Sequence, residues 1–334
     1  MTIREFCRQY TDRDDRIATI ELVWTVAAYC AAVYGAIAFA PNWWITAPLM
    51  LVIAATGVRI YMLQHDCIHG TLFSSRRLND VVGTLLSPIA LTPYQATKYA
   101  HNRHHAYVSD LDHRDAFEIH VMTVAEYETA PLWKKLQYRL YRSAFTLVFT
   151  GPFLMYMVLR RFPKHAFKTG IWDVILHDLM IAAYFFGVYL WAGWLGLGVL
   201  LGAIYIGCTL GVLIPYVVHN FEHIEWGRRP DMDFETAALK GSSVLNFGWF
   251  FDFMTFNIAY HDLHHLNANI PSYHIKRCHQ DLEAAGLIES TKIGLWEAIK
   301  CLRWKLYDEP NSRMVPFPPL MQDMRSASGV VPAE

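Results

Sequence analysis

Three histidine clusters carry the chemical information in this chain: His65-Asp66-Cys67-Ile68-His69, His101-Asn102-Arg103-His104-His105 and His261-Asp262-Leu263-His264-His265. Residues three and four apart share a face of an α-helix, so each cluster aims two or three imidazoles at one point. Neutral imidazole binds iron, zinc, copper and nickel alike. Eight rings exceed the needs of one ion, and the spacing predicts a polynuclear site with nitrogen ligands only. His219 and His223, four apart, stand ready to complete it, with His219 the better placed because it directly follows an apolar run. The remaining six, His113, His120, His165, His177, His274 and His279, lack helical pairing with another histidine and read as ordinary structural residues, so His279→Ala is expected to spare both metal and activity. Asp66 and Asp262, each beside a cluster histidine, and Asn257, one turn before His261, are candidates to orient the rings or to reach a metal through water. No Glu-x-x-His or HExxH occurs, which argues against a soluble carboxylate-bridged di-iron bundle and against a zinc protease of that type.

The elements that must position these rings are apolar. Of the 334 residues 54% are hydrophobic, with 11 Trp, 18 Tyr and 19 Phe, more than a soluble core of this length needs. Basic and acidic residues number 29 and 30, so nothing in the charge suggests nucleic acid as a partner. Six scattered cysteines form no CxxC pair and read as free thiols. Residues 1 to 21 lack the pattern of a signal peptide and read as a cytoplasmic leader. Uncharged runs of about 20 residues are long enough to cross a bilayer, and four spans are expected at about 22–40, 43–63, 174–192 and 197–218, in two hairpins turning at Pro41-Asn42 and near residue 195, within Ala192 to Gly198. Arg59 is expected to snorkel to the interface, with His65 and His69 on a projecting end of the second span that stops at Gly70.

Both turns lack Lys and Arg while the long segments are rich in them, which places those segments in the cytoplasm. The expected fold is therefore an all-α membrane protein, one domain, with cytosolic cap segments 64–173 and 219–310 and a loose proline-rich tail at 311–334. Val81 to Leu91, Phe145 to Leu159 and Phe247 to Phe256 are too short to span, and Lys292 to Tyr307 reads as an amphipathic helix. All three clusters then lie on one side of the bilayer. No histidine falls between Leu22 and Val58 or between Leu179 and Val218, which removes paired haem ligation. A membrane metal carrier would want ionisable residues along a path through the bilayer, and the run from Leu179 to Val218 has none.

Over these residues the sequence resembles the membrane-bound fatty acid desaturases of the acyl-lipid, delta-12/omega-6-like type. HDCIHGTLF at 65–73, RLND at 77–80, HNRHHAYVSDLDHRD at 101–115 and HDLHHLNANIPSY at 261–273 carry the resemblance, which extends from about residue 45 to about 310. It implies two iron ions held by His65, His69, His101, His104, His105, His261, His264 and His265, with His219 in the place of the family's additional histidine. Ile68 replaces a glycine common in the first box, and His223 has no counterpart. The implied reaction is O2-dependent insertion of a C=C bond into a long acyl chain, lipid-bound or thioester-linked. Its two electrons would come from a separate donor, ferredoxin in a bacterial host, at the cytoplasmic membrane with both termini and the site inside. A hydroxylase on the same scaffold is the alternative. Trp249, Phe250, Phe251, Phe253 and Phe256 are candidate lining for the acyl tunnel, with core packing as the plainer reading.

Overall fold

The computed structural model describes residues 2–114, 120–321 and 323. A short helix α1 (Ile3–Cys7) precedes two long ones, α2 (Asp15–Ala38) and α3 (Trp43–His69). They are followed by α4 (Arg76–Ala90), α5 (Tyr94–Ala106), α6 (Leu132–Tyr141) and the 48-residue α7 (Ile171–Val218). The cap adds α8 (Trp249–Met254), α9 (His261–Leu266), α10 (Ser272–Ala284) and α11 (Leu295–Cys301). Three of these helices, α2, α3 and α7, are long and apolar enough to cross a membrane.

At 1.5 Å per residue α3 is about 40 Å long, roughly 10 Å more than a bilayer core. The excess is long enough for its last two turns, with His65 and His69, to project beyond an apolar slab, and Gly70 ends the helix in the left-handed conformation (φ 69°) that glycine adopts without strain. Helix α7 is broken at Gly193, whose φ of 61° and ψ of −160° are not helical. Both its ends meet the cap. Near the start, Asp173 accepts the backbone N–H groups of Gln95 and Ala96 at 2.9 and 3.2 Å, and His177 pairs with Ser87. Past its other end, His219 lies 2.9 Å from the Gly241 carbonyl. Around the break, Trp191 stacks on Tyr34 at 5.8 Å and Gly202 faces Met50.

Arg59 does not snorkel. It is 2% exposed, its guanidinium pairs with Glu21 of α2 at 2.6 Å, donates to the Phe253 carbonyl and lies over the rings of Trp24, Phe253 and Phe256. An acid on the facing helix makes a buried cation tolerable where water would otherwise be needed.

The cap is not wholly helical. Met122–Thr123, Leu306–Asp308 and Arg313–Val315 form a small sheet, parallel in its first pair and antiparallel in its second, and Val244–Leu245 pairs in parallel with Lys292–Ile293. This overturns the single helix expected over Lys292 to Tyr307, of which only α11 is helical. It also overturns the loose tail from 311: Arg313–Val315 is paired, and Asp323 accepts from Tyr127 and Arg139. Such short strands have no periodicity to read, because their partners lie up to 184 residues away in sequence. Residues 322 and 324–334 of the expected tail lie outside the described residues.

Candidate metal centre

The first cluster is set by a network around the end of α3. Gln64 donates from Nε2 to the Gly83 and Thr92 carbonyls and accepts from the Thr92 hydroxyl, while Tyr94 donates to the Cys67 carbonyl at 2.7 Å. Tyr94 packs so closely on α4 that a Cβ at Gly83 would come within 2.1 Å of its ring. Asn79 of the RLND segment accepts from the Phe73 N–H and donates to the Phe73 carbonyl, closing the loop after the box. The first and third boxes are joined by Asp66, which accepts from the backbone N–H and hydroxyl of Ser272 at 2.8 and 2.6 Å.

Two groups of imidazoles result. His65, His69, His101, His105 and His264 form one, and His104, His219, His261 and His265 the other; within each, one nitrogen from every ring lies within 4.8 Å of all the rest. The boxes are therefore not single-point clusters, as their spacing suggested. On a helix of 3.6 residues per turn, adjacent residues diverge by about 100°. His101 and His105, or His261 and His265, point together, whereas His104 and His264 turn towards the opposite group. The second and third boxes each contribute to both.

The nitrogen contacts fit a cation better than hydrogen bonding. His265 Nε2 lies 3.2, 3.1 and 3.1 Å from the Nε2 atoms of His104, His219 and His261. A ring nitrogen offers one proton or one lone pair, so three such approaches cannot all be hydrogen bonds. Two ligands at right angles, each about 2.0–2.1 Å from a first-row ion, stand about 3 Å apart. That is the spacing here, and it recurs in the other group, where His101 Nε2 is 3.0 Å from both His69 and His105. His219 places its Nδ1 2.9 Å from the Gly241 carbonyl. Donation there fixes the tautomer and leaves its Nε2 lone pair for the group.

Burial, reinforced by neighbouring imidazoles, holds His101, His104, His105, His261, His264 and His265 well below the ordinary histidine pKa; burial alone brings His219 down to about 4. All are neutral at pH 7, the form in which imidazole binds a metal.

His223 is exposed and belongs to neither group. Its four-residue spacing from His219 has no helical meaning because α7 ends at Val218 and the chain turns. His113, His120, His165, His177, His274 and His279 also lie outside both groups. His279 is nevertheless buried beside the site: its Nε2 is 3.5 Å from Asp262 and 2.9 Å from the Ser290 hydroxyl. Spacing along the chain gave no sign of that contact. Asn257, at φ 61°, donates to the Ser272 carbonyl at 3.0 Å.

One cavity of about 170 Å³ connects the site to the long helices. Its border includes His65 and His101 of one group and His104, His219 and His261 of the other. Farther in it is walled by α3 and the second half of α7, among them Ile53, Ala54, Gly57, Gly207 and Gly211. The aromatic residues expected to line a tunnel do not: Trp249, Phe250 and Phe253 of α8 are 74%, 59% and 43% exposed, Phe256 packs on Arg59, and none, Phe251 included, borders the cavity. Their run is a short amphipathic helix, with one face outward.

A family model described as fatty acid desaturase matches residues 41–291, three quarters of the chain. The chain is similar to a fatty acid desaturase of Bacillus subtilis, 32% identical over 82% of this chain and 78% of the relative. It is also similar to an sn-1 acyl-lipid omega-3 desaturase (ferredoxin) of Synechocystis, 24% identical over 84% and 80% of the two chains. A chloroplastic omega-3 fatty acid desaturase of Glycine max is 28% identical over 86% of this chain, which spans 62% of that longer relative.

Proposed function

From membership of the fatty acid desaturase family, to which this chain belongs, we propose that it inserts a C=C bond into the acyl chain of a membrane lipid at a pair of iron ions. The ligands are His65, His69, His101, His105 and His264 for one ion and His104, His219, His261 and His265 for the other. The observation that carries this reading is an apolar cavity bordered by histidines of both groups. Iron is favoured over zinc because an unactivated methylene has neither an acidic proton nor a leaving group, so acid-base and nucleophilic catalysis cannot act on it. When bound, the irons would supply the redox chemistry by which O2, two external electrons and two protons take two hydrogens from a CH2–CH2 unit, leaving CH=CH and two waters.

The chain's own residues do the rest. Neutral, thiolate-free imidazoles hold the ions without occupying a proton. The walls of α3 and α7 grip an extended chain and keep water from it. Gly57, Gly207 and Gly211 leave room where helices face each other, and a Cβ at Gly211 would fall 2.4 Å from the Tyr156 hydroxyl.

In this reading the single domain crosses the bilayer four times, with α7 passing twice. That is supported by the break at Gly193 and by the contact of both α7 ends with the cap. The basic long segments argue that cap, site and termini face the cytoplasm of a bacterial cell. Electrons come from a separate protein, a ferredoxin by analogy with the Synechocystis relative's name.

Expression in a host with a competent electron donor, followed by mass spectrometry of lipids with double-bond location, tests the proposal. The expected result is a new double bond dependent on His104. An unchanged profile from protein carrying two irons would refute it, and an alcohol labelled from 18O2 would assign hydroxylation instead.

A further inference from the structure

Two of the four buried cations among the described residues have a carboxylate partner: Arg59 has Glu21, and Lys135 lies 3.9 Å from Asp323. Arg142, at the end of α6, has none among the described residues. It is 1% exposed and borders the cavity. Its Nη2 donates to Asn220 Oδ1 at 2.5 Å and to the Trp304 carbonyl at 3.4 Å, and its Nη1 to the His120 carbonyl at 3.2 Å. Its Nε is buried with no acceptor among the described residues. Behind it Lys305, 6% exposed, donates to the Arg142 carbonyl at 2.5 Å and lies 3.4 Å from the Tyr216 hydroxyl. Every polar partner of the two cations among the described residues is thus an uncharged oxygen. Burial, and then the charge of Arg142, draws Lys305 down to about 7.

Buried charge without counter-charge is costly, and a cavity walled mainly by apolar side chains, with Arg160, Thr97, Asn220 and the candidate-ligand histidines also on its border, admits chiefly an apolar ligand. A ligand that satisfies both has a long hydrocarbon chain and an anionic head. Asn220, which orients the guanidinium, directly follows the candidate ligand His219, so the cation adjoins the reacting end of the cavity.

We infer that Arg142 receives an anionic oxygen of the acyl substrate, a carboxylate or phosphate, and so selects acyl chains with anionic heads over neutral ones. This rests on the desaturase reading above. The guanidinium positions the chain by its head, and the register of the methylenes beneath the histidines follows from that anchor.

The test uses the full-length, metal-loaded protein in detergent and measures equilibrium binding of matched pairs. Stearate against octadecanol reports on a carboxylate, and dioleoylphosphatidylglycerol against dioleoylglycerol on a phosphate. The wild type is expected to favour the anionic member of one pair at least tenfold. Arg142→Gln should erase that preference with less than twofold change for the neutral member, and Arg142→Lys should keep most of it. Metal content and melting temperature confirm that each variant folds. Equal binding within both pairs by the wild type, or equal loss of anionic and neutral ligands in Arg142→Gln, overturns the assignment and leaves the desaturase reading standing. Failure of the wild type to bind any of the four overturns both.

Discussion

Adjacent histidines in the second box are expected to serve different ions, and pairs of substitutions expose this. His104 and His265 belong to the four-ring group; His105 and His264 belong to the five-ring group. If roughly 10–16 kcal/mol of metal affinity is shared over four ligands, each contributes on the order of 2.5–4 kcal/mol, or about 10²–10³ in affinity. One loss weakens the four-ring group more, because three nitrogens remain there against four in its neighbour. Two losses within one group empty it. His104→Ala with His265→Ala should therefore retain one ion per chain, held by the intact five-ring group. His104→Ala with His105→Ala strikes both groups, and each ion weakens about 10²–10³-fold. Metal analysis after dialysis against a chelator of graded strength separates these cases, with circular dichroism as the control for folding. A box-by-box arrangement predicts the reverse, one ion surviving the substitution of His104 and His105 and two weakened by that of His104 and His265. That result would refute the division into five and four.

Three further outcomes follow from the same geometry. The buried histidines titrate below their unfolded value near 6.5, so the stability they contribute is fully present above that pH and is lost as pH falls through it, when the unfolded chain takes up protons the folded one refuses. Each ring adds up to about 1.4 kcal/mol per pH unit, and metal-free protein melted between pH 7.5 and 5.5 should show a steep decline; a flat profile would contradict the burial of the rings. His279→Ala should lower metal affinity by about tenfold, by releasing Asp262 beside His261, and His279→Gln should recover part of it; unchanged affinity in a chelator competition would return His279 to a passive role. Gly83→Ala should cost about 1–3 kcal/mol, because its Cβ must displace the Tyr94 ring that braces the Cys67 carbonyl, and a melting temperature equal to wild type would show that α4 can move away.

The candidate ligand types and the apolar helices that carry them were legible from residue order alone. Imidazole spacing of three and four is a local property, and so is a 20-residue run without charge, since both depend only on helical pitch and solvation. The stop at Gly70 was legible for the same reason. What residue order did not contain was the partition of the rings. His104 and His264 cross to the other group because α5, α9 and the end of α3 meet at an angle that only their packing sets. The removal of His223, the pairing of Arg59 with Glu21, and the strands at Leu306–Asp308 and Arg313–Val315 were likewise decided by segments far apart in the chain. So was the identity of the cavity wall. An aromatic run such as Trp249 to Phe253 looks the same in sequence whether it faces a tunnel or faces outward. The glycines of α7 line the cavity because two helices approach there, a fact about their crossing and not about either strip of sequence.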